Sequence, residues 1–165
     1  YNIMMAFYTA CSTFMGQNWG AGHKKRMMDS YLISLFYAFA VAAVLGVAFY
    51  FAGRPFLYVF TNSADVVEAG MQRMKIMCFS YAISAFMDNT IAACRGLGRT
   101  IVPTVVVIMG SCVFRVIWVY TIFAHYHTIP SLYLLYAFSW TITAAAEIVY
   151  FLHCFRKLRL VPETA

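Results

Sequence analysis

Gly16-Gln17-Asn18-Trp19-Gly20-Ala21-Gly22-His23-Lys24-Lys25-Arg26 decides how the rest of the chain is read. The stretch lies between two long apolar runs and combines amides, three glycines and a tight basic cluster. An apolar helix that reaches a membrane surface turns here on glycine, which adopts φ > 0 at no steric cost, and its cations then mark the inner face. The orientation of every later helix follows from that placement.

Composition agrees. Of 165 residues, 63% are hydrophobic and only 11% are charged, with a mean hydropathy of +0.73. A soluble domain carries about a quarter charged residues. So few charges cannot cover a water-facing surface, which places the chain in the membrane class. The net charge of +6 is gathered in short clusters between apolar runs, the pattern of the positive-inside rule rather than of a nucleic-acid patch. No basic and aromatic residues interleave on one soluble face, so no nucleic-acid partner is expected. The five cysteines form no CxxC pair and read as small hydrophobes. The first residues already read as mid-helix, which implies a longer polypeptide.

Taken in order, the expectation is an all-α, polytopic membrane bundle forming a single domain over residues 1–165. Five transmembrane helices are predicted over about 1–16, 30–52, 66–94, 101–124 and 131–155, with the signature loop over 16–26. Gly53-Arg54-Pro55 is expected to break the second helix, and Ser63 or Asp65 to cap the third. Pro103 falls in a first helical turn, where a missing N–H costs least. Alternate turns carry Lys24, Lys25, Arg26, Arg95, Arg99, Arg156, Lys157 and Arg159, eight cations, against Arg54, Arg73 and Lys75, three, on the other side. That bias predicts five spans with a cytoplasmic C-terminus in a plasma or inner membrane.

Two turns also carry a resemblance. Gln17-Asn18-Trp19-Gly20-Ala21-Gly22 followed by Arg26, and Arg95-Gly96-Leu97-Gly98-Arg99-Thr100, are similar to the glycine turns of the multidrug and toxic-compound extrusion (MATE) family of secondary transporters. Their order and spacing match, and the resemblance covers essentially the whole chain. It implies twelve helices in two six-helix lobes, of which this chain resembles the last five helices of the C-terminal lobe. The N-terminal lobe of the same protein is then its main partner, beside membrane lipids and small organic cations.

Three ionisable residues lie inside apolar spans: Asp88, Arg115 and Glu147. A charge at mid-bilayer costs a few kcal/mol, so each is expected to face the protein interior and a partner. Each shares a helical stripe with polar residues: Asp88 with Ser84 and Tyr81, Arg115 with Ser111, Glu147 with Thr143 and Ser139. Asp88 reads either as a structural acid tying helices together or as a proton or cation site, because desolvation favours the protonated carboxyl. The resemblance implies a cation-binding acid on this helix one turn earlier, where this chain has Ser84. Glu147 has the same two readings. Rise per residue sets Arg115 some 10 Å above Glu147, too far for a simple pair. A stack on Trp118 or a carboxylate from the absent lobe suits it better.

Met71, Met74, Met77, Phe79, Tyr81, Phe86 and Met87 either line a cavity for flat organic cations or pack against lipid and neighbouring helices. His125 and His127 form a lone HxH, weak as a metal motif. No nucleophile–base arrangement, phosphate loop or zinc signature is present, so neither enzyme chemistry nor a cofactor is expected. The resemblance implies a secondary antiporter exporting amphipathic or cationic drugs and toxins in exchange for Na⁺ or H⁺ by alternating access. In that scheme Gln17, Asn18, Gly20, Gly22, Arg26, Arg95, Gly96 and Gly98 form a cytoplasmic hinge and anchor. A lipid-linked oligosaccharide flippase of the wider superfamily and a non-transporting membrane scaffold are the alternatives.

Overall fold

Apolar helices can bury their backbone polar groups in lipid only by closing every hydrogen bond along the helix. The computed structural model of the protein, which describes residues 1–126 and 129–158, is helical almost throughout those residues. Five helices follow one another: α1 (Asn2–Gly20), α2 (Lys24–Tyr58), α3 (Ala64–Gly96), α4 (101–126) and α5 (Ile129–Lys157). In α4, π-helical turns over Ile108–Val113 and Val119–Phe123 interrupt the α-helix. Its first turn contains the buried Pro103.

Four of the five, α2 to α5, are long and apolar enough to cross a bilayer on their own. The expected fifth such span, α1, is 19 residues long, about 28 Å at 1.5 Å per residue. Over a bilayer-length stretch it is less apolar than the other four, with Asn2, Gln17 and Asn18 near its ends and Ser, Thr and Tyr between them. At 35 and 33 residues, α2 and α3 exceed the ~20 needed to cross.

Three expected boundaries move, the end of α1 and both ends of α2. The signature stretch is not a loop from residue 16. Gln17, Asn18 and Gly20 belong to α1, and only Ala21–His23 leave helical geometry. The reason lies in the cap: Gly22 takes φ 76°, its N–H donates to the Trp19 carbonyl at 3.1 Å, and the His23 N–H reaches back to Asn18 at 2.9 Å. These are the two bonds of a Schellman motif, which needs helix up to its first acceptor. α2 therefore starts at Lys24 rather than Ser30. Nor does Gly53-Arg54-Pro55 end it. Pro55 sits one turn from the C-terminus, where it forfeits a single bond. Gly53 packs against Met71 and Met74 of α3, and Arg54 is tied to Glu68 at 2.7 Å. Ser63 is the residue before α3, without a side-chain capping bond, and Asp65 lies in the first turn.

The second glycine turn repeats the first. Gly98 takes φ 68°, its N–H donates to Arg95 and the Arg99 N–H to Cys94, both at 2.9 Å. The two turns lie together. A Cβ on Gly98 would stand 3.9 Å from the Trp19 ring, and one on Gly96 would run into the Ser12 carbonyl and Met15 of α1.

α3 is the axis of the bundle and packs on α1, α2 and α5. Beneath the turns, Cys11, Met15, Met27, Tyr31, Cys94, Leu97, Phe151 and Phe155 form a core. Lys24 Nζ stands 5.2 Å over the Phe155 ring, so the ends of α1, α3 and α5 and the start of α2 share one basic end. Further from it the α1–α2–α3 interface narrows to Ala38, Ala42, Ala85 and Ala92. Small residues let helices approach where lipid supplies no hydrophobic drive between them. Large apolar side chains such as Phe51 and Phe79 point outward. Arg159 of the expected basic cluster, the segment after it, and His127 and Thr128 lie outside the described residues.

Candidate functional site

α1 and α4 both pack against α3 but diverge from one another, leaving a cleft of about 380 Å³ floored by α3. Asp88 opens into it, half-buried, with Arg95 two turns further along the same helix. Tyr1, Tyr8, Thr9 and Ser12 line the α1 side and Thr104 the α4 side. Among the described residues Asp88 makes no hydrogen bond and no ion pair, and Arg95 lies exposed at the mouth. The buried Tyr8 hydroxyl also lacks a partner. The cleft thus brings together a carboxylate within the apolar span and the unpartnered Tyr8 hydroxyl, a set suited to a proton or a small cation, with the Arg95 guanidinium at its mouth. Ser84, on the same sequence stripe, does not line it; its hydroxyl is buried and donates to the Tyr81 carbonyl at 2.9 Å.

The other two ionisable residues, on α4 and α5, do not line this cleft. Arg115 Nε donates to Ser139 Oγ at 3.2 Å, and Ser139 Oγ donates to the Gly110 carbonyl at 2.7 Å. That carbonyl lies in the first π-helical segment. The guanidinium lies over Tyr136 at 4.4 Å and Trp140 at 5.7 Å. The expected stack on Trp118 is not made, because the Arg115 side chain turns to α5 while Trp118 stacks on Phe138 at 5.5 Å. Arg115 and Glu147 form no pair. Two turns along α5 from Ser139, Glu147 is fully buried and neither carboxyl oxygen has a partner. Thr143 between them donates to the Ser139 carbonyl at 2.7 Å.

A polar knot that sequence reading passed over joins α1, α2 and α3. Ser34 Oγ lies 2.8 Å from both the Phe7 carbonyl and Asn89 Oδ1, so its single proton serves one at a time. Asn89 Nδ2 donates to the Tyr31 carbonyl at 3.1 Å, and the Tyr31 hydroxyl meets Thr90 Oγ1 at 2.9 Å. Asn89-Thr90 directly after Asp88 in an apolar helix was the available signal.

The Met and aromatic set is dispersed. Met74, Met77 and Tyr81 line a groove shared with α1 and α2, Met71 and Met87 are buried, Phe86 packs on Phe39 at 5.6 Å, and Phe79 is 81% exposed. Of the signature-turn side chains, Gln17 and Arg26 are exposed, and Asn18 Nδ2 bonds the Phe14 carbonyl in its own helix at 2.8 Å. Among the described residues no group of His, Cys, Asp and Glu is placed to hold a metal ion.

Comparison with known proteins places these features in a family. The family model MatE matches residues 1–121. A curated relative, Protein DETOXIFICATION 8 of Arabidopsis thaliana, is 26% identical over 98 residues, which is 59% of this chain and 20% of the relative. A solved structure described as the inward-facing conformation of a multidrug resistance MATE family transporter of the MOP superfamily superposes with a TM-score of 0.79. It is 17% identical, and the match covers 99% of this chain and 39% of that one. The match thus spans about a fifth of the curated relative and two-fifths of the solved transporter.

Proposed function

The chain belongs to the MatE family, and on that premise we propose that it forms part of the C-terminal lobe of an antiporter that exports amphipathic or cationic compounds in exchange for Na⁺ or H⁺. The observation that carries the reading is Asp88, a half-buried carboxylate open to the cleft between α1 and α4 and bound by no other side chain. A coupling carboxylate must be reached by its ion and must hold a free lone pair. Asp88 meets both conditions, whereas Glu147 is sealed. Occupancy of Asp88 would bias the lobe between two packings, with the opposing lobe completing the substrate cavity. The concentration of cations at the end shared by the two glycine turns supports a cytoplasmic placement of that end.

The test is efflux of a fluorescent organic cation from cells or proteoliposomes that contain the whole transporter, under an imposed Na⁺ or H⁺ gradient. Asp88→Asn keeps the shape and removes the charge. Gradient-driven efflux is expected to fall at least tenfold with unchanged expression and melting temperature. Undiminished efflux in that variant sinks the assignment.

A further inference from the structure

A second pocket, of about 520 Å³, lies among α3, α4 and α5 and shares no lining residue with the Asp88 cleft. Two guanidiniums line it, Arg73 of α3 and Arg115 of α4, together with Tyr120, Tyr133 and Tyr136 and apolar walls such as Val116. Among the described residues no carboxylate does. Arg115 is held by one edge: Nε bonds Ser139, and its face rests on Tyr136 and Trp140. The four N–H groups on its two Nη atoms have no acceptor among the described residues. Aromatic faces orient a guanidinium without neutralising it. A cation inside an apolar span calls for an anion, and a guanidinium fork with one edge free is shaped for two oxygens of an oxyanion.

Depth narrows the class. Counted from the basic end, Arg115 stands about 21 Å up α4, Tyr136 about 32 Å up α5 and Arg73 about 35 Å up α3. A hydrocarbon layer ~30 Å thick puts Arg73 among the headgroups of the opposite leaflet and the Arg115 backbone about 9 Å below that surface, with its guanidinium reaching up to the Tyr136 ring. The pocket therefore spans the boundary at which an amphiphile changes from head to tail, and tyrosine suits that level.

We propose that this pocket binds the phosphate head of an amphiphile, gripped between Arg73 and Arg115 with its apolar part along Val116 and the tyrosine rings. The phosphate comes either from a phospholipid of that leaflet or from a soluble phosphate ester. The site is independent of the Asp88 cleft and stands whether or not the antiport reading does.

Native mass spectrometry of the protein released from detergent tests it, with palmitoyl-oleoyl phosphatidylglycerol as probe and the corresponding diacylglycerol as the phosphate-free control. A one-to-one phosphatidylglycerol adduct is expected, with diacylglycerol not retained. Arg115→Gln should weaken the adduct at least tenfold and Arg73→Gln about threefold. Displacement by millimolar phenyl phosphate identifies a soluble ester as the ligand class; retention against it identifies the lipid. Equal retention of phosphatidylglycerol by wild type and both variants, or equal retention of diacylglycerol, overturns the proposal. Should Arg115→Gln fail to fold, the exposed Arg73 decides alone: wild-type affinity in Arg73→Gln overturns the site.

Discussion

The Gly96 carbonyl oxygen lies 3.3 Å from the point where a Cβ would stand on Gly16, so α1 and α3 cross backbone against backbone. On the Gly96 side the fit is closer still, since a Cβ there collides with the Ser12 carbonyl and stands 2.7 Å from Met15 Cβ. Neither obstacle is a flexible side-chain tip. Gly96→Ala must therefore part the helices, at about 1–3 kcal/mol, the usual cost of overpacking. Gly16→Ala, with a single tight contact at 3.3 Å that a shift of a few tenths of an ångström relieves, should cost less. Thermal unfolding in detergent, followed by a thiol-reactive dye at the buried Cys11 and Cys94, ranks them. Equal melting temperatures for Gly96→Ala and wild type would refute the crossing.

The glycines of the signature turns differ in kind. Gly22 and Gly98 have positive φ, where an L-residue costs roughly 1–2 kcal/mol. Gly20 is helical and has open space where a Cβ would go. Gly22→Ala and Gly98→Ala should each lower stability by about 1 kcal/mol, while Gly20→Ala should hold or raise it, as alanine favours helix. A Gly20→Ala variant that melts like Gly98→Ala would show that the α1 cap is drawn wrongly.

Ser34 and Asn89 can be tested as a pair. In membrane bundles a side-chain hydrogen bond between helices contributes about 0.6 kcal/mol on average and up to ~1.7. A double-mutant cycle of Ser34→Ala and Asn89→Ala should return a coupling of that size. Additive losses would mean that the two side chains do not bond.

Glu147 offers the opposite experiment. A buried acid with both oxygens unpartnered subtracts from stability, and an apolar residue of similar size removes that cost. Glu147→Leu is expected to raise stability by about 1 kcal/mol. A drop of that size instead would reveal a partner for the carboxyl.

The helices were legible because lipid demands long uncharged runs, and Ser30 to Gly53 is one. The glycine turns were legible too, because positive φ has few other solutions. What escaped was decided by context. Gln17 and Asn18 look like loop residues, yet the cap draws them into α1, and Pro55 looks like a stop, yet packing at Gly53 and the Arg54–Glu68 bridge carry α2 past it. Asp88 and Ser84 share a sequence stripe but face different surroundings, because a helix at the centre of a bundle has no bland side. The Arg115 stack could not be chosen from sequence, since Tyr136, Trp140 and Trp118 are equally aromatic and only the direction of α5 separates them.

The π-helical turns of α4 hold residues in surplus of what an α-helix of the same height would need. If one such turn tightens to α geometry, everything beyond it swivels by about 100°, one residue's worth of rotation. Arg115 lies between the two segments, so tightening of Ile108–Val113 would swing its guanidinium away from Tyr136 and Trp140, and tightening of Val119–Phe123 would turn only the residues beyond it. Removing one residue from Ile108–Val113 would take up the surplus of that turn and fix the aim of Arg115.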